Sequence, residues 1–116
     1  MKVLFVCESN LNRSPTFFKW FSEFRPEHKY ESAGTLYGYP NTLDEELLDW
    51  ADLVVVMDMS QFKYININFE EYMDKVVVAG ISDQYDVDDD GLIEIIKWWH
   101  EFFFKKLEVE YDKKRK

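Results

Sequence analysis

The chain has 116 residues, 47% hydrophobic and 18% aromatic, with 23 acidic against 14 basic residues and a formal charge of −9. That length suits one domain with one core, and the acidic balance argues against nucleic acid as a partner, which asks for a basic footprint. A lone cysteine, Cys7, excludes an intramolecular disulfide, a C-x-x-C redox pair and a cysteine-rich zinc site; with no membrane-length apolar run and no secretory leader pattern, a reducing, cytoplasmic setting away from membranes is expected.

Residues 2–6 are β-branched and apolar and predict a short buried strand. Ser14-Pro15 opens a helix over about 14–24, because proline is tolerated only in a first helical turn. Lys29 to Ser32 is a second strand, and Gly34, Gly38 and Pro40 mark a loop. Thr42-Leu43-Asp44-Glu45 spells a capping box before a helix at about 43–50. Leu53 to Met57 is a continuous apolar strand of the buried parallel type. A helix is expected at 59–66, residues 67–73 are ambiguous, and Lys75 to Val78 is a fourth strand. An acidic loop covers about 80–90. The last helix runs from about 91 to 107, with Leu92, Ile95, Ile96, Trp99, Phe103 and Phe102 on its inner face. The domain occupies 1–112, and Lys113-Lys114-Arg115-Lys116 forms a frayed basic tail over 113–116.

Strands alternating with helices predict an α/β fold: one three-layer domain with a parallel sheet covered on both faces and right-handed crossovers. Ligands of such sheets sit beyond the carboxyl ends of the strands, and Cys7 lies immediately beyond the end of the first. The stretch Cys7-Glu8-Ser9-Asn10-Leu11-Asn12-Arg13-Ser14 can curl so that the N–H groups of Glu8, Ser9, Asn10, Leu11, Asn12 and Arg13 point inward as an anion nest. The following helix turns its positive end to the same point, and Arg13 can offer two parallel N–H···O contacts. This potential favours the thiolate of Cys7, poised at the mouth of the cradle, and a Ser14 hydroxyl can donate to the sulfur. Asn10 tolerates left-handed backbone and can tie the loop to itself. The preferred ligand is a tetrahedral oxyanion such as phosphate.

With those residues on the page, Val3–Thr16 resembles the signature of the low-molecular-weight protein tyrosine phosphatases, a strand running into C-x5-R-S. Ser32-Ala33-Gly34-Thr35, Trp50 to Asp58 and Ile81-Ser82-Asp83-Gln84-Tyr85 follow in the family's order, so the likeness spans about residues 1–105 and is greatest to the short, compact branch. The resemblance implies a four-stranded sheet in the order 2-1-3-4 and a phosphotyrosine or aryl phosphate monoesterase. Cys7 would attack phosphorus to form a phosphocysteine, and Arg13 and the loop amides would bind the equatorial oxygens. Asp83 would serve as general acid and then base, with Asp86 its substitute, and Ser14 would assist the sulfur. Tyr85, Tyr37 and Tyr39 would wall the pocket. No metal or cofactor is implied; the partner is a phosphotyrosine protein or a small aryl phosphate, and the chain a monomer or weak homodimer.

The chain also departs from the family. Ser82 and Gln84 stand where prolines flank the family's acid, and Asn12 stands where many members carry a second, protective cysteine, leaving Cys7 without intramolecular rescue from oxidation. Phe17 and Phe18 replace residues that are often small. Other readings stay open: a phosphate-binding module without catalysis, an arsenate reductase lacking its recycling cysteines, and a serine phosphatase of the RNA polymerase II tail, whose chains are longer. Asp86 to Glu94 resembles the start of an EF-hand, but Lys97 stands where a bidentate glutamate is needed. His28 and His100 show no ligand pattern, and Trp98 or Phe104 could seed a homodimer.

Overall fold

The computed structural model describes residues 1–39 and 41–115; Pro40 of the predicted loop and Lys116 of the predicted tail lie outside the described residues. Strand β1 (Lys2–Cys7) leads through a short loop into helix α1 (Arg13–Phe24), and β2 (Lys29–Gly34) follows. Helix α2 (Glu45–Trp50), β3 (Leu53–Val56) and α3 (Met59–Asn68) come next. A 3-10 segment at Glu70–Lys75, where the pattern was ambiguous, delivers the chain to β4 (Val76–Val78). Helix α4 (Asp90–Trp99) continues through a π-helical segment (His100–Phe104) into α5 (Lys105–Arg115). The four strands form one parallel sheet in the order β2-β1-β3-β4, as expected.

Strand β1 is apolar on every residue after Lys2 because it is buried on both faces. Its side chains alternate. Val3, Phe5 and Cys7 enter one core with Phe17 and Phe21 of α1, Leu92, Ile96 and Trp99 of α4, and Phe104. Leu4 and Val6 enter the other with Leu48 of α2, Ile65 of α3 and Tyr72. The Phe5 ring lies 5.2 Å from both Phe17 and Phe21. The bulky Phe17 is thus absorbed by aromatic packing under the sheet, beside the partly buried Phe18.

Two local expectations, the Thr42 capping box and the frayed basic tail, need correction, and two further helix starts are capped by aspartates. The α2 cap is Asp44, whose carboxylate accepts from Leu47 N–H, so the capping box on Thr42 does not form. A capping box does form at α3, where Asp58 accepts from Ser60 N–H and Gln61 Oε1 accepts from Asp58 N–H. The EF-hand-like run is a helix start: Asp89 caps α4 by accepting from Gly91 and Leu92 N–H, and Asp88 takes Lys19 at 2.9 Å. The basic residues Lys113, Lys114 and Arg115 are the last turn of α5 and not a frayed tail, a placement that complements the helix dipole.

The inner face of the last helix also changes register. Leu92, Ile96 and Trp99 are buried as a 3.6-residue period requires, and that period points next to Phe103. The π-helical segment inserts one residue into the turn, so Phe104 goes inside instead. Phe102 and Phe103 are left 53% and 45% exposed, their rings tilted and edge-on to Trp98 at 5.6 and 5.2 Å. Phe104 is fully buried and cannot seed a homodimer; Trp98 remains exposed. Among the described residues, no helix is long and apolar enough to cross a membrane.

Candidate active site

Cys7 ends β1, the strand flanked by both β2 and β3, and this sets the sulfur at the carboxyl edge of the sheet. The loop that follows is held from the β2 side. Thr35 N–H donates to Cys7 O at 3.1 Å and Leu36 N–H to Glu8 O at 2.9 Å. Between these bonds the backbones approach so closely that a Cβ on Gly34 would stand 2.8 Å from Asn10 N, Glu8 O and Ser9 C. The Ser32-Ala33-Gly34-Thr35 motif therefore acts as the floor on which the loop is laid. Asn10 adopts φ 58°, a left-handed turn that asparagine tolerates and that closes the loop on itself.

The sulfur receives Asn10 N–H at 3.2 Å and lies 3.0 Å from Ser14 Oγ, which also contacts Asn10 Oδ1 at 2.8 Å. The serine has one hydrogen to give. With a neutral thiol, S–H donates to Oγ and the serine donates to Asn10; with a thiolate, the serine hydrogen turns to sulfur. Cys7 is only 2% exposed, so the sulfur sits beneath the loop and not at its mouth as expected. Glu8 and Leu11 are exposed, and Ser9, Asn10 and Asn12 are half-buried. Helix α1 opens directly after the loop with no acidic residue in its first turn and no side-chain cap from Asn12, whereas α2, α3 and α4 each carry an aspartate cap. Its positive end is left facing the loop, the arrangement that favours an anion.

Arg13 is 1% exposed. Its Nη1 donates to Asp58 Oδ2 and to Ile81 O, both at 2.7 Å, and its Nε stands 3.5 Å from Asp83 Oδ1. One guanidinium thus joins the Cys7 loop, the end of β3 and the acidic loop. Partial burial works against the Asp58 carboxylate, but the Arg13 and Ser60 hydrogen bonds outweigh it and hold Asp58 below its usual range. Asp58 is therefore an anion that balances and orients Arg13. It was not singled out from the sequence, although its place just past the end of β3 was a usable signal. The side chain of Asp83 is 60% exposed and joins the cluster, whereas Asp86 lies outside it in a turn, its carbonyl accepting from Asp89 N–H.

The three tyrosines differ in burial. Tyr85 is half-buried beside Gly91 at the start of α4. Tyr37 is 93% exposed and Tyr39 is exposed in the same loop. The histidines, which carried no sequence pattern, each have partners. His28 bonds Glu108 of α5, and His100 meets Arg25 at 2.7 Å. Glu27, His28 and Glu108 bring ligand atoms within 4.8 Å of one another, but Arg25 already binds both glutamates.

No protein-family model and no curated protein sequence matches the chain. Solved structures do. The arginine phosphatase YwlE from Geobacillus stearothermophilus is 22% identical with a TM-score of 0.71, covering 94% of each chain. The tyrosine phosphatase Wzb from Escherichia coli K30, solved with phosphate, is 21% identical with a TM-score of 0.77, covering 91% of this chain and 97% of its own. A low-molecular-weight protein tyrosine phosphatase from T. tengcongensis is 24% identical with a TM-score of 0.67, covering 94% and 99%. The chain thus shares the fold of the low-molecular-weight protein tyrosine phosphatases over about nine-tenths of its length, as the resemblance of its Cys7 loop implied.

Proposed function

We propose that this chain is a cysteine-dependent phosphatase acting on phosphate monoesters, with aryl phosphates such as phosphotyrosine as the first substrate class. The observation that carries the reading is the environment of one sulfur. Cys7 Sγ is met by the Asn10 N–H at 3.2 Å and the Ser14 hydroxyl at 3.0 Å, at the head of a helix and in a loop closed by Arg13. In this reading the thiolate attacks phosphorus and the P–O bond to the aryl group breaks. Asp83, entering protonated, gives its proton to the departing phenolate. Water then adds to phosphorus, Asp83 takes the water's proton, and the S–P bond breaks to release phosphate and restore the thiolate. Arg13, with Nη1 held by Asp58 and Ile81, offers its other N–H groups to the equatorial oxygens, and the loop amides share their charge. Ser14 shifts its hydrogen to the sulfur whenever sulfur is the leaving group. A reducing, cytoplasmic setting suits a lone catalytic thiol.

Phosphoarginine is a second reading. The structurally similar YwlE is an arginine phosphatase, and the exposed Glu8 at the start of the loop offers a carboxylate to a cationic leaving group. The deciding experiment measures turnover of an aryl phosphate and of phosphoarginine, without added metal, for wild type and Cys7→Ser. Turnover lost in the variant while phosphate binding remains supports the mechanism, and the faster substrate names the class. A wild type inert toward both, and not alkylated at Cys7 by iodoacetate, leaves only a phosphate-binding module.

A further inference from the structure

Asp83 has little to hold it: an exposed side chain in the 79–89 loop, with Arg13 3.5 Å away. Its position is set by how the loop is anchored on either side. Upstream, Ala79 and Ile81 N–H donate to Val56 O and Met57 O at 2.8 and 2.7 Å, and Ile81 O accepts from Arg13. These bonds extend the sheet and would exist in any loop that left β4 this way. Downstream the anchor is of another kind. Asp88, at φ 59°, turns its N–H onto Thr16 Oγ1 at 3.0 Å. The Thr16 hydroxyl in turn donates to Asn12 O at 2.7 Å, and Asn12 is the residue before Arg13 in the Cys7 loop. Thr16 is 1% exposed, so water does not compete for either bond.

We infer that Thr16 is a positioning residue for the reaction proposed above: its one buried hydroxyl couples the loop that binds phosphate to the loop that carries Asp83. This rests on the phosphatase reading. A hydroxyl is required because only it can donate to one loop and accept from the other through a single atom. The Lys19–Asp88 pair at 2.9 Å closes the same gap from outside, but it is exposed and screened by salt. The coupling therefore depends on Thr16, which places Asp83 relative to a substrate held over Cys7 without touching that substrate. Loss of the hydroxyl frees the downstream end of the acid loop and leaves the sulfur, Ser14 and Arg13 as they are.

The test is leaving-group dependence, which a merely structural role would not move. For Thr16→Val, kcat/KM, which reports formation of the phosphocysteine, should fall about tenfold on phenyl phosphate, whose departure needs a proton. It should fall no more than about twofold on 4-nitrophenyl phosphate, whose departure needs little help. Thr16→Ser should restore the wild-type ratio of the two substrates, and in an Asp83→Ala background Thr16→Val should cost nothing further on phenyl phosphate. An equal loss on both substrates, or an undiminished loss in that background, overturns the coupling. Should Thr16→Val fail to fold, hydrogen exchange at the Asp88 amide of the wild type decides: protection supports the bond and free exchange refutes it. A wild type that turns over neither aryl phosphate nor phosphoarginine defeats the phosphatase reading itself, a result distinct from an active enzyme whose variants show no leaving-group effect.

Discussion

Replacing Gly34 by alanine tests whether the Cys7 loop is a preformed cradle. The added Cβ would stand 2.8 Å from three backbone atoms, Asn10 N, Glu8 O and Ser9 C, and ordinary contact begins at 3.4 Å. The loop must retreat by the difference, about 0.6 Å, because backbone cannot swing aside as a flexible side chain can. That retreat works against the Thr35–Cys7 and Leu36–Glu8 bonds, at 3.1 and 2.9 Å, which pin the loop from β2. Overpacking of this kind costs about 1–3 kcal/mol of stability. The effect on chemistry should be larger, since a misplacement near 1 Å can cost about a hundredfold in rate. We expect kcat/KM on an aryl phosphate to fall between about tenfold and a hundredfold, with weaker inhibition by inorganic phosphate, while urea unfolding still shows one cooperative transition. Steady-state kinetics, phosphate inhibition and a urea titration measure all three. A variant with the rate and phosphate inhibition of wild type would refute the claim that loop geometry, set by this close approach, creates the site.

Asp58→Asn removes the charge that faces Arg13 but leaves an oxygen to cap α3, so kcat/KM should fall about tenfold while the folded structure, read by circular dichroism, persists. Phe104→Ala should lower unfolding free energy by about 3–5 kcal/mol in a denaturant titration, and Phe103→Ala by less than about 1 kcal/mol, because the π-helical segment turns only Phe104 inward. Burial works against the Glu108 carboxylate, but its bonds from Arg25 and His28 outweigh this and hold it below its ordinary 4.5. Its stabilising contribution is therefore complete above pH 4.5 and disappears as the pH falls through the lower folded value. Glu108→Gln should flatten the acid limb of a plot of stability against pH in that window; an unchanged limb would contradict the assignment.

The sheet and the Cys7 loop were legible because their signals are local and redundant. An apolar run, a thiol at its end, an arginine directly after a five-residue loop and a proline in a first helical turn point to one strand–loop–helix unit. Gly34 was read as a loop marker, and its work as a close-packed floor appears only when β2 is laid beside β1. Asp58 and Thr16 were missed for a related reason. An aspartate before a helix and a threonine within one look like routine caps and fillers until the chain brings Arg13 to the first and Asp88 to the second. The last helix misled because a 3.6-residue period was extended across a turn that holds an extra residue, which no apolar count reveals. Residue type alone does not separate Asp83 from Asp86, both exposed acids in one acidic stretch; the family resemblance preferred Asp83, and Asp83 is the one that stands 3.5 Å from Arg13.

Strand β1 lies inside the sheet, with Lys29–Gly34 along one side and Leu53–Val56 along the other. Every one of these pairings is parallel, so none can close through a tight hairpin and each waits for a crossover to be made. Strand β1 is thus left waiting on both sides until two separate crossovers are in place. Before those crossovers form, Lys2–Cys7 is a greasy ribbon with two bare flanks and an unshielded thiol. The lone thiol therefore sits on an apolar stretch that only assembly of the sheet covers.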